Sequence, residues 1–419
     1  MGNPVTSRAV TVIGAGIVGA CTAAWLQRKG FSVTIFDRDE PGRGASFGNA
    51  GVLAPGAFLP VAMPGMLRQV PRWLTDPLGP LTIRWKHLPS LSPWLFRFLR
   101  QANATKMLHS AEAMATLVGP AWAYYEPLLN AAGARDLVRD GGSLFVHASE
   151  EEKRADEPSA RLRSSLGLDY SEVSEEEIRA LSPDLAPQFR WGHIARDNKR
   201  ITNPNRLVSM LVRHVTQNGG SFIKTDVRGV SRRGDQIFIQ TADGERASSA
   251  VVVCTGAWSG GLMRGLGDSV PLESQRGYHV CFADSGVSTH CTVSWVKRRV
   301  FVNPMEAGLR IAGTVELAGL AASPNWRRAD ALAQTAKTMF PKLNEAQRSN
   351  WMGHRPCFPD SLPVIGRSRS HSGIFYAVGH QHVGMSSAST TGYLIAQTLA
   401  GEQPDIDLSP FSIERFARG

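Results

Sequence analysis

The first fifty residues alternate between apolar and polar blocks in an order that names its elements. Residues 9–13 are a short apolar run, as expected of a central parallel strand covered on both faces. Gly14, Ala15, Gly16, Ile17, Val18 and Gly19 follow at once. Residues 20–29, rich in Ala and Leu, read as a helix closed by Gly30. Residues 31–36 read as a second strand, and it ends in Asp37. The order is strand, G-x-G-x-x-G, helix, strand, acid.

Further along, residues 201–219 read as a helix and 221–225 as a strand, followed by a turn at Asp226-Val227. A hairpin pattern runs through 236–241, Asp243-Gly244 and 247–254. Within it, 250–254 is a buried strand that leads into Thr255-Gly256-Ala257-Trp258. Another strand, 374–378, leads into Gly379-His380-Gln381-His382-Val383-Gly384. A small-residue helix then spans 385–399, closed by Gly401. The acidic stretch 149–177, with glutamates at 150–152 and 175–177, reads as a solvated surface.

A length of 419 residues exceeds one compact core and predicts two to three domains. With 42% hydrophobic and 20% charged residues, the composition is that of a globular protein and excludes a disordered chain. The net charge of +10 is compatible with nucleic acid, an anionic membrane or acidic small molecules. A dense basic run interleaved with aromatics occurs only at 68–100, so no nucleic-acid partner is expected. The five cysteines are scattered and lack a C-x-x-C pair, against a disulfide framework or structural zinc and for a reducing compartment. No apolar run reaches the roughly 20 residues of a membrane-spanning helix. The start, Met1 to Thr6, fits only the permissive myristoylation pattern.

Each part of the opening unit has a physical task. The first glycine permits a tight turn, the second lets backbone approach a pyrophosphate, and the third lets helix and sheet pack closely. The helix N-terminus offers unpaired N–H groups to phosphates, and Asp37 can accept hydrogen bonds from ribose hydroxyls. NAD and FAD both fit these requirements. The glycine-rich stretch 41–51 is either a flexible loop or a small-residue surface for an extended cofactor, with Ser46 and Asn49 as hydrogen-bonding groups.

Between 55 and 101 the composition changes. Prolines recur at 55, 60, 64, 71, 77, 80, 89 and 93, among Met63, Met66, Leu67, Trp73, Trp85, Trp94, Phe96 and Phe98. Arg68, Arg72, Arg84, Lys86, Arg97 and Arg100 accompany them, with Asp76 the acidic exception. This is either an insertion packed on the core or a face that rests on an anionic bilayer. Near the C-terminus, Pro356 holds Arg355 in extended geometry. The guanidinium is then either an ordinary surface group or a bidentate clamp for a carboxylate. His380 and His382 lack a third ligand nearby, which favours hydrogen bonding over a metal. The helix after Gly384 would aim positive potential at a ring that becomes negative on reduction.

Taken together, residues 13–19, 45–51, 254–258, 308–316, 355–366 and 379–384 resemble the FAD-dependent D-amino-acid oxidase superfamily. Within it, the chain is most similar to the bacterial D-amino-acid dehydrogenases. The resemblance covers nearly the whole chain. It implies an α/β (α+β) fold: a Rossmann-like FAD-binding domain from discontinuous segments (1–55, 195–275 and 350–419), and a substrate domain with a mixed or antiparallel sheet (56–194 and 276–349).

The resemblance also implies that Arg355 holds the substrate carboxylate, with Tyr278 adding a hydroxyl contact and His380 beside them. FAD contacts are implied at Gly14, Ala15, Gly16, Ile17, Val18 and Gly19, and at Asp37 and Arg38. They continue through Gly44, Ala45, Ser46, Asn49, Ala50, Gly51, Val52 and Leu53. Val227 would meet the adenine, and Thr255, Gly256, Gly379, His382, Val383, Gly384 and Met385 complete the set. Some relatives attach flavin through a His within the segment matching 47–51; none is present here, so non-covalent FAD is expected. The implied reaction is oxidation of a D-amino or D-imino acid by hydride transfer to flavin, with a quinone-type acceptor. The alternatives are a glycine- or sarcosine-type oxidase using oxygen, or a hydroxy-D-proline dehydrogenase. No residue stands out as a catalytic base and no metal is expected. The expected location is the cytoplasm, with the 55–101 segment as the route to a peripheral contact on the inner face of the membrane.

Overall fold

The computed structural model describes residues 9–65, 79, 81–165, 168–234 and 236–417. Met1 to Thr6, Met66, Leu67, Arg68, Pro71, Arg72, Trp73, Asp76, Pro77 and Pro80 lie outside them. The strand Ala9–Ile13, the helix Ile17–Arg28 and the strand Ser32–Asp37 follow the expected order. They open a six-stranded sheet whose order is Ser221–Lys224, Ser32–Asp37, Ala9–Ile13, Ala250–Val253, Ile374–Val378 and Val364–Arg367. All neighbours are parallel except the last pair. The apolar runs at 10–13 and 250–253 are buried throughout: helices cover one face of the sheet, and antiparallel strands carrying Val230, Ile237 and Ile239, with Met263, cover the other.

The C-terminal helix Gly384–Ala400 packs along Ile17–Arg28. A Cβ at Gly392 would lie 2.7 Å from the Thr22 backbone nitrogen, so its absence sets how close the two helices come. Gly401, with φ 77°, ends that helix in the left-handed region.

Two boundaries differ from the expected ones. The helix over 201–219 starts at Pro204, behind an Asn203 cap whose side chain accepts from the Arg206 N–H, and Ile201 ends a short strand. The pattern 247–254 is two strands: Gly244–Ser248 finishes an antiparallel meander, and Ala250–Val253 enters the parallel sheet.

A nine-stranded mixed sheet forms the second layer. From one edge it runs Arg348–Cys357, Glu273–Phe282, Gly308–Leu317 and Val300–Met305, antiparallel in that order. Thr292–Trp295, Ser143–His147, Trp191–Ala195 and Tyr170–Val173 extend it, and Leu81–Ile83 adds to Gly308–Leu317. The stretch 149–177 is less solvated than expected: Asp156, on the helix Glu150–Ser165, is buried. The segment around 88–101 is an amphipathic helix, Leu88–Gln101, that buries Leu91, Trp94 and Phe98 and leaves Phe96 63% exposed. Among the described residues, no helix is long and apolar enough to cross a membrane.

Candidate active site

A cavity of about 940 Å³ is lined by residues of both large sheets, at the upper end of the roughly 300–1,000 Å³ usual for ligand pockets. Its floor at one end is the glycine turn. Gly14 has φ 110°, and a Cβ there would lie 2.4 Å from the Cys254 carbonyl oxygen. A Cβ at Gly19 would lie 1.8 Å from the Gly14 carbonyl oxygen. Those two glycines are required by contact within the fold. Gly16 has nothing closer than Ser46 Oγ at 3.4 Å, so the space it leaves belongs to the cavity.

The first N–H of the following helix, from Ile17, donates to Ser46 Oγ at 2.9 Å, a cap supplied from 29 positions downstream. Asp37 is fixed by two backbone donors: Ala15 N–H to Oδ2 at 2.6 Å and Asp39 N–H to Oδ1 at 3.0 Å. Burial lifts its carboxyl above the ordinary range, and those donors oppose the lift. Beside it, the Arg38 guanidinium lies 4.2 Å from the Trp258 ring centroid, and both line the cavity.

The glycine-rich stretch is held rather than free. Arg310, buried with its pKa pushed down by burial, donates from Nη1 to the Asn49 carbonyl at 2.7 Å and the Phe47 carbonyl at 3.2 Å. Asn303 donates to the Ala50 carbonyl, and Asn49 Oδ1 accepts from the Gly51 N–H at 2.7 Å. His279 Nδ1 meets the Gly48 carbonyl at 3.2 Å. The loop is therefore bolted to strands of the second sheet.

Most of the residues expected to hold cofactor converge on this one cavity: Gly14, Gly16, Ile17, Val18, Asp37, Arg38, Gly44, Ala45, Ser46, Asn49, Ala50 and Val52. Val227, Thr255, Gly256, Gly379, His382, Val383, Gly384 and Met385 do so as well. Ala15, Gly19, Gly51 and Leu53 do not line it. They support it from behind: Ala15 through Asp37, Gly19 under the turn, Gly51 with φ 74° against the Ile201 carbonyl, and Leu53 in the core.

At the other end lies Arg355. It sits deep in the protein, where burial pushes its pKa down, yet it is partly accessible and lines the cavity. Nη1 donates to the Thr314 carbonyl at 3.1 Å. Among the described residues no carboxylate pairs with it. The Gln381 N–H donates to the Pro356 carbonyl at 2.9 Å, and Cys357 bridges His380, which ties the 379–384 turn to the strand carrying Arg355. His382 opens onto the cavity, and burial together with Arg355 pushes its pKa down to about 4.

Two expected substrate contacts are otherwise engaged. Strand register pairs Gln275 with Arg355 and Gly277 with Gly353, so Gln275, Gly277 and Arg355 share one face and Tyr278 points to the other. There its hydroxyl donates to Glu316 at 2.6 Å and accepts from the Asn325 N–H at 2.9 Å. Its hydroxyl proton is thus committed to Glu316, while Tyr278 still lines the cavity beside Gly277 and Arg355. His380 lines the cavity, but its Nε2 is hydrogen-bonded to Thr391 Oγ1 at 3.0 Å, and burial pushes its pKa down to about 3.

Sequence reading missed several cavity residues. Thr314 (φ 60°) and Gln381 (φ 50°) are left-handed without being glycine, and strain of this kind collects at functional positions. Thr314 Oγ1 and Gln381 Nε2 are buried without a hydrogen-bond partner and belong to the cavity lining. Trp351, stacked on His279 with centroids 5.1 Å apart, also lines it. Met63, Trp94 and Phe98 bring an apolar wall from the proline-rich insertion.

The glycine cradle, the fixed Asp37 and the orphaned Thr314 and Gln381 atoms fit an extended dinucleotide with a polar ligand beyond it. The sequence profile of the FAD dependent oxidoreductase family matches residues 9–398. A D-amino-acid oxidase of Bradyrhizobium diazoefficiens is 38% identical over 98% of this chain and 99% of its own. A D-amino acid dehydrogenase of Granulibacter bethesdensis is 27% identical over 97% and 99%. Glycine oxidase from Geobacillus kaustophilus shares the fold with a TM-score of 0.72 at 20% identity, over 97% of this chain and 99% of its own. L-proline dehydrogenase from P. horikoshii does so with 0.73 at 18%, over 99% and 98%. The family resemblance read from the scattered motifs is thus borne out, and the chain belongs to the FAD-dependent oxidoreductases.

Proposed function

We propose that the chain oxidises the C–N bond of a D-amino or D-imino acid, with Arg355 as the anchor for the substrate carboxylate. The observation that carries this reading is a guanidinium deep in the cavity with one backbone partner, the Thr314 carbonyl, and no carboxylate among the described residues. A buried cation left in that state is stabilised by an anion from outside the chain. FAD, held by the glycine turn, Ser46 and Asp37, would supply the two-electron acceptor for the hydride lost from Cα of the neutral amine, and the resulting imine would hydrolyse in water to a 2-oxo acid. The residues contribute orientation and exclusion of water. Arg355 fixes the acid group, Gln381 and Thr314 offer polar atoms beside it, and Trp94, Phe98 and Met63 give an apolar side. His279 and His380 stay neutral and serve as supports.

Non-covalent FAD would lie with its pyrophosphate on the glycine turn, ribose on Asp37 and adenine by Val227 and Arg38. The cofactor unit is drawn from 1–55, 195–275 and 350–419, and the substrate unit from 56–194 and 276–349. The pair Glu273–Phe282 and Arg348–Cys357 crosses that seam. A quinone-type acceptor accords with the exposed Trp85 and Phe96, which with Arg97 and Arg100 suit a peripheral membrane contact. Oxygen as acceptor is a second reading, favoured by the 38% identical relative named as an oxidase.

The test is anaerobic reduction of the flavin by each enantiomer of the amino acids and prolines. Bleaching by a D-substrate, lost in Arg355→Leu with flavin content intact, is the expected result. Bleaching that persists in Arg355→Leu, or occurs only with L-substrates, overturns the reading. Steady-state turnover with air against an anaerobic quinone separates the two acceptors.

A further inference from the structure

Behind the far wall of the cavity, away from Arg355 and the glycine turn, three side chains bring ligand atoms together. His147 ends the strand Ser143–His147, and His193 lies on the neighbouring strand Trp191–Ala195. The antiparallel register pairs Phe145 with His193, so His147 is the diagonal neighbour of His193 on the same face. The helix Glu150–Ser165 crosses that face and lowers Asp156 onto it. One ligand atom from each of His147, Asp156 and His193 lies within 4.8 Å of the others. The closest approach noted is His147 Nε2 to Asp156 Oδ2 at 3.8 Å.

All three are nine-tenths or more buried, with exposures of 0%, 9% and 8%. Both ring nitrogens of His147, Nδ1 of His193 and Oδ2 of Asp156 make no full hydrogen bond, and the polar neighbour of Asp156 is the equally unsatisfied Tyr170 hydroxyl. Buried polar atoms are nearly always paired, and four orphans in one cluster require a common explanation. Burial holds both imidazoles in their neutral form, with His147 pushed down to about 4. A neutral ring presents a lone pair to a metal. The Tyr170 ring stacks on His193 at 4.9 Å and closes one side.

We propose that His147, His193 and Asp156 bind a divalent cation of the zinc type, with a water completing four-coordination. Two imidazoles and one carboxylate suit a borderline first-row cation better than magnesium or calcium, which take oxygen ligands. Tetrahedral bonds of about 2.0–2.1 Å place ligand atoms about 3.4 Å apart, so binding draws the three side chains inward. The ion would clamp the acidic helix to the sheet. Asp156 and Tyr170 also line the far side of the active-site cavity, so the clamp would set the shape of that wall.

The experiment uses untagged, flavin-loaded enzyme, stripped with a chelator and then dialysed against zinc chloride. Elemental analysis after desalting should give one zinc per chain, with a rise in unfolding temperature of at least about 3 °C. His147→Gln and Asp156→Asn should lose both effects while keeping flavin absorbance and far-ultraviolet circular dichroism. Should either variant fail to fold, cobalt(II) titration of the wild type reads the site directly, as a visible band beyond the flavin spectrum that zinc abolishes. Substoichiometric zinc with no thermal shift, equal binding by the variants, or no cobalt band overturns the proposal.

Discussion

A Cβ placed on Gly277 would lie 2.2 Å from Nη2 of Arg355. The two residues are diagonal neighbours across Glu273–Phe282 and Arg348–Cys357, and the missing side chain of one is the resting place of the other's guanidinium. Gly277→Ala should therefore displace Arg355 without unfolding the sheet, since the clashing group is the end of a flexible chain. The expected outcome is a fall of about 10–100-fold in kcat/KM, mostly in KM, or about 1.4–2.7 kcal/mol. Steady-state kinetics beside a flavin absorbance spectrum checks it; unchanged KM would remove Arg355 from the anchoring role.

Arg355→Lys keeps the charge but loses the planar fork. Loss of a bidentate, charge-assisted pair of hydrogen bonds should lower kcat/KM by about 10²–10³-fold. Flavin retention should stay as in the wild type, because the cradle lies at the other end of the cavity. A substrate titration by flavin reduction rates reads the loss.

Asp37→Ala removes the acceptor for the Ala15 and Asp39 N–H groups and for a cofactor ribose. FAD affinity should drop by about 10–100-fold. Flavin remaining after gel filtration at low protein concentration measures it, and full retention would show that this carboxylate contributes little.

Ser46→Ala deletes the cap of the Ile17–Arg28 helix. The expected loss is about 0.5–2 kcal/mol, a few degrees in unfolding temperature. Because the same helix end faces the cavity, the loss should be smaller when excess FAD is present.

Acid should destabilise the folded protein through His279 and His380. Burial pushes both from 6.5 down to about 3. The unfolded chain therefore binds protons at these sites below pH 6.5 while the folded chain does not. Their contribution is complete above pH 6.5 and declines as pH falls towards 3, at about 1.4 kcal/mol per pH unit for each ring. Urea midpoints between pH 7 and pH 5 should fall accordingly, and His380→Gln should flatten the slope by about one proton. A slope unchanged by that substitution rejects the assignment.

The cofactor end was legible because its requirements are local. A turn, two glycines under close contact, a helix start and an acid all fall within residues 13–37. The Asn203 cap that starts the helix at Pro204 is equally local, but the apolar pattern runs on through Ile201 and hides it. The substrate end was harder to read. Whether Gly277 or Tyr278 faces Arg355 depends on a register across some 80 positions, which alternation alone leaves open. The left-handed Thr314 and Gln381 carry no glycine to announce them, and Asp156 is concealed in an acidic run whose other members are mostly exposed.

The order of strands has a consequence for synthesis. Thr11 hydrogen-bonds Ser248 across 237 positions, and the strand Ala9–Ile13, made long before that partner, lies inside the finished sheet. At ribosomal speeds of about 5–20 residues per second, one hydrogen-bonding edge of Ala9–Ile13 waits roughly 10–50 s for its neighbour Ala250–Val253. This nascent segment is thus a natural client for chaperones, and stalled translation products ending before residue 250 should be prone to aggregate.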